Sequence, residues 1–190
     1  MKDIKLNMPD SHDTVHIGEK IHPFIMDAYL PDGTFGQVSI KKNMDEKKWT
    51  ILYFYPADFT FVCPTEIKAF DAMTKEFNAE GAELIGISTD KVHSHKAWVE
   101  RDFGGSINHA LAEDPTGDIS KYFRVYDEVK GLAWRGLFII SPDGTLWTQY
   151  VNFGEAGRSA DEALRLLTAV KEAAAGEMVP CGWQKGDKTL

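Results

Sequence analysis

A change in hydrophobic period constrains the fold of this chain more than any other feature. Residues 49–55 form a short apolar run rich in aromatic and branched side chains, and Pro56 stops it. From Ile67 to Phe77, apolar residues recur every three or four positions, as on one face of a helix. A second apolar run follows at 83–88. The pattern therefore predicts a buried strand, a helix and a second buried strand in succession.

The rest of the chain completes an α/β pattern. Turn residues at 31–33 and at 142–144 each separate two apolar segments, which predicts two hairpins. No linker is long enough to divide domains, so we expect one mixed sheet with helices on both faces. The other predicted segments are an extended lead-in at 1–20, a charged connection at 41–48, helices at about 64–79 and 92–101, a short helix ending at Phe123, and a last helix opened by Ser159 and ended by Gly176.

Length and composition indicate one globular domain. The chain has 190 residues, of which 43% are hydrophobic and 26% charged, enough to bury a substantial core. The net charge of -8 disfavours non-specific binding to nucleic acid or to an anionic membrane. The first residues carry no apolar segment of signal-peptide length, so a cytoplasmic location is the default expectation. Two cysteines are too few for a disulfide scaffold and favour a transient, catalytic role.

Cys63 stands at the predicted change from strand to helix. Pro64 suits the first position of that helix, and Glu66 suits its first turn. A thiol in this place faces the positive end of a helix dipole, which favours the thiolate, the nucleophilic form. The alternative is that Cys63 is a small buried hydrophobe. The neighbours favour catalysis, because the hydroxyl of Thr60 lies within reach of the sulfur or its substrate and Pro56 can shield the site from water.

This segment resembles the active-site motif of the peroxiredoxins, Pro-x-x-x-Thr-x-x-Cys, which Pro56, Thr60 and Cys63 match. Residues 59–66 are especially similar to the typical two-cysteine branch, which includes the alkyl hydroperoxide reductase C proteins. The resemblance extends over nearly all of the chain and implies a thioredoxin-like fold.

The resemblance also implies a domain division and a reaction. Residues 1–175 would be the peroxiredoxin domain, and residues 176–190 a C-terminal tail. The protein would reduce hydrogen peroxide and organic hydroperoxides to water and alcohols through a sulfenic acid on Cys63. No cofactor or metal is implied, and an external dithiol protein, thioredoxin or a dedicated flavoprotein disulfide reductase, would recycle the enzyme. Homodimers assembled into a decameric ring are the implied quaternary structure.

Two arginines match the family pattern. By resemblance, Arg135 in an Arg-Gly-x-Phe-Ile-Ile segment reaches the peroxidatic sulfur, where it would favour the thiolate and bind peroxide oxygens. Glu66 would then orient Arg135. Arg158 matches a second arginine of the same cluster, though more loosely. The alternatives from the residues alone are an arginine at the surface end of a strand for Arg135 and a solvated loop arginine for Arg158.

Cys181 is the candidate resolving thiol, expected from a partner subunit. In similar enzymes the tail runs Val-Cys-Pro, a small residue, then Gly-Trp. Aligned on Trp183, this chain has Val179 at the family's cysteine position, and Cys181 is displaced by two residues. The open alternatives are an incidental exposed thiol and a one-cysteine peroxidase reduced directly by an external thiol.

Other residues suggest further sites and functions. His93 and His95 invite a metal site, but two histidines without a third ligand favour side chains on a helix surface. Trp98, Phe103 and Trp134 are candidates for an oligomer interface by resemblance. A disulfide oxidoreductase would need Cys-x-x-Cys, which is absent. A chaperone or structural ring would need no nucleophile and would leave Thr60 and Arg135 unexplained. An oligomeric chaperone or redox sensor stays open as an alternative function.

Overall fold

A seven-stranded mixed sheet forms the centre of the computed structural model, which describes residues 13–190. The strands are β1 (Ile25–Tyr29), β2 (Phe35–Ser39), β3 (Trp49–Phe54), β4 (Ala82–Ser88), β5 (Ala110–Glu113), β6 (Tyr126–Asp127), β7 (Leu132–Ala133), β8 (Arg135–Ile140) and β9 (Leu146–Asn152). Their order in the sheet is β2-β1-β5-β4-β3-β8-β9, in which β3, β4 and β5 are parallel and the other pairs are antiparallel. β6 and β7 form a separate two-stranded ribbon.

Helices cover both faces of this sheet, as the sequence predicted. Tyr53 of β3 packs in a core cluster with side chains of α2, α3, α4 and α6, whereas Phe54 packs in a second cluster with side chains of α1 and α5. Alternate residues of a strand point to opposite faces, so β3 supplies both cores and is buried throughout. The helices are α1 (Ile40–Asp45), α2 (Cys63–Ala72), α3 (Thr74–Ala79), α4 (Val92–Asp102), α5 (Asp118–Tyr122) and α6 (Ala160–Ala174).

The predicted charged connection at 41–48 was wrong, since most of it is the helix α1. The Ser39 side chain caps this helix by accepting a hydrogen bond from the backbone N–H of Lys42. Ile40 and Asn43 are buried, and the Asn43 amide donates to the Thr50 hydroxyl at 3.1 Å. The helix was not predicted because it buries only two side chains, and these stand in a segment rich in lysine that shows no helical hydrophobic period.

The single helix predicted at 64–79 is divided into α2 and α3. Met73 leaves the helical conformation, with φ −100° and ψ 10°, although the apolar spacing continues across it. Strand β5 was missed because its four residues are too few to show a period. Of the predicted lead-in, residues 1–12 lie outside the described residues, and residues 13–20 are irregular apart from a bridge between Lys20 and Thr145.

The remaining predicted elements are confirmed within one or two residues. Ser159 caps α6 by accepting from the N–H of Glu162, and Gly176 follows the end of that helix with φ 102°. Among the helices of residues 13–190, none combines the length and the apolar character needed to cross a membrane.

Candidate active site

Cys63 is the first residue of α2, just beyond the carboxyl end of β3, and its side chain is fully buried as a free thiol. Pro64 occupies the start of the helix, where its missing N–H costs no intrahelical hydrogen bond. The loop that connects β3 to Cys63 holds Phe59 in the left-handed region, with φ 58°. A bulky residue in that region is strained, and such strain persists only where the surrounding packing holds the backbone in place. The loop before Cys63 is therefore held in one conformation.

Arg135 brings a positive charge to the sulfur. It opens β8, which runs antiparallel to β3, so its side chain starts beside the end of β3 at which the Cys63 loop begins. Nη1 donates to Cys63 Sγ at 3.3 Å and to Glu66 Oε2 at 2.5 Å. Burial alone would lower the pKa of Arg135, but the Cys63 sulfur and the Glu66 carboxylate outweigh burial and raise that pKa. The guanidinium is therefore charged, although only 1% of Arg135 is exposed.

Glu66 binds a second buried arginine, Arg158. Its Oε1 accepts from the backbone N–H of Arg158 at 2.7 Å and from Nε at 2.8 Å. Burial would raise the pKa of Glu66, but the charge and hydrogen bonds of Arg158 and the charge of Arg135 lower that pKa overall. Two buried guanidinium groups share one buried carboxylate, that of Glu66, whereas the other acidic partner of Arg135, Glu155, is 80% exposed, so solvent screens its charge. The buried charge next to Cys63 is therefore predominantly positive, which favours negative charge on the sulfur and on an oxygen bound to it.

A cavity of about 150 Å³ lies against Arg135 and gives the site room for a small substrate. Arg135 connects this cavity to the sulfur, because its Nη1 contacts Cys63 while its Nη2 donates to Glu155 on the cavity wall at 3.1 Å. Pro56 and Thr60 line the cavity as well. The Thr60 hydroxyl donates to the Ala57 carbonyl at 3.0 Å, so the structure does not show the direct contact with sulfur that the spacing allowed.

The sequence did not reveal a buried polar cluster next to the site. Asp58, in the loop before Cys63, accepts from the Tyr55 hydroxyl at 2.9 Å and lies 2.8 Å from Nδ1 of His95. The prediction of a surface histidine was therefore wrong for His95, which is fully buried. The sequence around His95 does not indicate that this side chain is buried, because its partner, the Asp58 carboxylate, lies 37 positions earlier in the chain. Throughout residues 13–190, no three His, Cys, Asp or Glu side chains are grouped as a metal site.

Cys181 lies apart from this buried cluster, as an exposed free thiol in the segment after α6. The segment is not loose. Trp183 is 4% exposed, its carbonyl accepts from Arg165 of α6 at 3.1 Å, and its indole donates to the Asp187 carbonyl at 3.0 Å. Cys181 thus sits on an ordered turn against α6.

Comparisons with known proteins agree with this fold. Residues 17–148 match the model of the AhpC/TSA family. The putative peroxiredoxin YkuU of Bacillus subtilis is 44% identical over 178 residues, which cover 92% of this chain and 97% of that protein. The thioredoxin peroxidase of Trypanosoma brucei rhodesiense is 42% identical over 193 residues, covering 99% of this chain and 90% of the relative.

Solved structures show the same architecture. The reduced 2-Cys peroxiredoxin of Plasmodium vivax superposes with a TM-score of 0.87 at 35% identity, covering 92% of both chains. The AhpC of Enterococcus faecalis gives a TM-score of 0.80 at 36% identity, covering 86% of this chain and 98% of that one. The expected thioredoxin-like fold is confirmed, and the chain belongs to the peroxiredoxins of the AhpC/TSA family.

Proposed function

We propose that the protein reduces hydroperoxides with Cys63 as the peroxidatic nucleophile. The observation that carries the proposal is the buried sulfur at the start of α2, 3.3 Å from the charged Nη1 of Arg135. The Cys63 thiolate attacks the terminal oxygen of the hydroperoxide, the O–O bond breaks, and the leaving oxygen takes up a proton. The products are Cys63 sulfenic acid and water or an alcohol.

The surrounding residues stabilise the charge that develops during this step. As the O–O bond breaks, negative charge moves to the leaving oxygen, and the Arg135 guanidinium is positioned to stabilise it. Glu66 and Arg158 hold that guanidinium in place through the buried ion pairs. In our proposal Thr60 contributes its hydroxyl from the cavity wall and Pro56 limits the access of water.

Cys181 is our proposed resolving thiol, which would place the enzyme in the typical two-cysteine branch. Cys63 sulfenic acid and the Cys181 thiol of a second copy condense to a disulfide and release water. An external dithiol protein, thioredoxin or a flavoprotein disulfide reductase, then exchanges with that disulfide and restores both thiols. The exposure of Cys181 supports this step, as does the similarity to proteins named thioredoxin peroxidase and 2-Cys peroxiredoxin. We further propose assembly into dimers and rings.

A one-cysteine mechanism is the second candidate, because Cys181 is displaced by two residues from the position expected by resemblance. In that case an external thiol attacks Cys63 sulfenic acid directly. The first step is the same in both mechanisms.

One experiment separates these outcomes. Wild type, Cys63→Ser and Cys181→Ser are each treated with one equivalent of hydrogen peroxide and run on a non-reducing gel. We expect rapid consumption of this equivalent of peroxide by wild type and by Cys181→Ser, and a disulfide-linked dimer for wild type only. Cys181→Ser should still form sulfenic acid, and Cys63→Ser should do neither. Peroxide consumption that persists in Cys63→Ser would refute the proposed function, and a monomeric wild type with normal turnover would favour the one-cysteine mechanism.

A further inference from the structure

Helix α2 carries an aspartate where the helix dipole disfavours one. Asp71 lies in the last turn of α2, next to the carbonyl groups that form the negative end of the dipole. No basic residue occupies that turn to balance it. The carboxylate must therefore be stabilised by groups outside the helix.

Those groups belong to the segment that leads into β5. Asp71 Oδ1 accepts from the backbone N–H of Asn108 at 2.5 Å, and Oδ2 accepts from Nδ2 of Asn108 at 2.8 Å. His109 Nδ1 lies 3.2 Å from Oδ1. Burial would raise the pKa of Asp71, but the hydrogen bonds from His109 and Asn108 lower that pKa overall. Asp71 is thus an anion tied to the sheet by three hydrogen bonds.

His109 extends this connection to Tyr53 in β3. His109 is buried, and burial lowers its pKa, so the ring is neutral. The Asp71 carboxylate can only accept, which puts the ring proton on Nδ1 and leaves Nε2 to accept from the Tyr53 hydroxyl at 2.5 Å. Burial also raises the pKa of Tyr53 and keeps its proton in place. The Tyr53 ring in turn stacks on Phe70 of α2, with centroids 4.6 Å apart.

These contacts oppose a movement that the chemistry requires. Cys63 is fully buried, whereas a disulfide brings two sulfur atoms to about 2.05 Å. Another thiol can reach Cys63 only if the sulfur leaves its pocket, so α2 must shift or unwind. Glu66 holds the first turn of α2 and also serves the reaction. Asp71 holds the last turn and bonds to none of the reactive groups.

We propose that Asp71, Asn108, His109 and Tyr53 form a latch on α2 that sets how fast oxidised Cys63 becomes available to a second thiol. They are positioning residues, and the inference rests on the proposed function. When the latch holds, Cys63 sulfenic acid stays buried beside the peroxide cavity. There a second hydroperoxide converts it to sulfinic acid and releases water or an alcohol. When the latch opens, a thiol converts the sulfenic acid to a disulfide and water.

The test is the partition of Cys63 sulfenic acid between these two fates in the full-length protein. Asp71→Asn keeps the shape of the side chain and removes the charge. We expect the rate constant for disulfide formation to rise by about tenfold, the effect of one lost hydrogen bond to a charged group. The fraction of sulfinic acid per turnover should fall correspondingly, with the rate of sulfenic acid formation unchanged. Stopped-flow tryptophan fluorescence resolves the two steps, and mass spectrometry of Cys63 gives the products.

Two further variants make the result specific. Tyr53→Phe keeps the stacking on Phe70 and removes only the hydroxyl, so a smaller change of about threefold in the same direction is expected. Asp114→Asn is the matched control. Asp114 also accepts three hydrogen bonds, but from Ile119 and Ser120 in α5. It should lower the free energy of unfolding without changing the partition.

Each outcome decides the inference. The proposal would be overturned if Asp71→Asn and Asp114→Asn changed the partition of Cys63 sulfenic acid equally. It would also be overturned if the rate constant for disulfide formation stayed the same in both Asp71→Asn and Tyr53→Phe. If Asp71→Asn fails to fold, Tyr53→Phe alone carries the same test. Wild type that forms no sulfenic acid on Cys63 would refute the proposed function itself, and the latch with it.

Discussion

The two cysteines of this chain lie in opposite surroundings. Cys63 is fully buried at the start of a helix, beside a charged arginine that is itself held by a buried carboxylate. Cys181 is exposed on a turn that a hydrogen bond from Arg165 to the Trp183 carbonyl holds against α6. The first environment stabilises negative charge and excludes other thiols, and the second leaves a thiol free to meet a partner. We propose that Cys63 is the nucleophile and Cys181 its resolving thiol, and these two roles require the two different surroundings.

The largest expected effect comes from removing the charge beside Cys63. Arg135→Ala should slow peroxide reduction by about 10²–10³-fold, the usual cost of losing one donor to a developing oxyanion. Arg135→Lys keeps the charge but loses the planar fork, in which Nη1 binds the sulfur and Glu66 while Nη2 binds Glu155, so it should recover only part of the rate. Single-turnover kinetics with hydrogen peroxide measure both. If Arg135→Ala reduced peroxide at the wild-type rate, the charge of Arg135 would not assist Cys63, and the electrostatic contrast drawn between the two cysteines would be wrong.

The next effect is on stability. Glu66→Gln leaves two buried guanidinium groups without their shared counterion and should cost about 3 kcal/mol of the free energy of unfolding. Urea denaturation at neutral pH measures this cost. Lys20→Gln provides a surface control, because Lys20 and its partner Asp143 are 67% and 61% exposed and that ion pair should be worth far less.

The Glu66 contribution should also depend on pH, with a defined sign. The folded pKa of Glu66 is lowered, while the unfolded value is about 4.3. The contribution is therefore complete above pH 4.3 and is lost as the pH falls through the folded pKa. The difference in free energy of unfolding between wild type and Glu66→Gln should shrink on acidification through that window. A difference that stays constant would mean that the pKa of Glu66 is not lowered.

A smaller effect is expected where the Cys181 segment meets α6. Arg165→Gln removes the hydrogen bond to the Trp183 carbonyl and should weaken the docking of the segment by about 1 kcal/mol. Hydrogen exchange of residues 178–187 should speed up, with no change at α2. Glu162→Gln is the control, because it removes the pair with Arg165 and leaves the bond to Trp183 intact. Faster exchange at α2 would show that the two cysteine regions are coupled.

The smallest expected effect is that of Cys181→Ser on the first chemical step. Cys181 is exposed and takes no part in the ion pairs around Cys63, so the rate of sulfenic acid formation should not change measurably. Only the later disulfide should be lost. A slower first step would mean that the tail supports the peroxide pocket.

Most of the fold was predicted from local sequence patterns. The apolar run of β3, the helical spacing after Cys63, the two Pro-Asp-Gly turns and the Ser159 cap each act within a few residues, so they can be read directly from the chain. Elements with few buried residues were harder to predict. α1 buries two side chains, and β5 has four residues, so neither shows a clear period.

The sequence by itself determined the α/β architecture, the place of Cys63 at a strand-to-helix change, and a motif specific enough to indicate the family. The family resemblance also implied that Glu66 meets Arg135 and that Arg158 joins their cluster, but no local pattern shows which charged side chains meet there, and that is decided in the tertiary structure. Arg158 approaches Glu66 across 92 positions, His95 approaches Asp58 across 37, and His109 approaches Tyr53 across 56. Such contacts have no local signature, because the sheet brings together the ends of strands that are distant in the chain. Burial, which makes these pairs strong and their charges consequential, likewise exists only after the chain has folded.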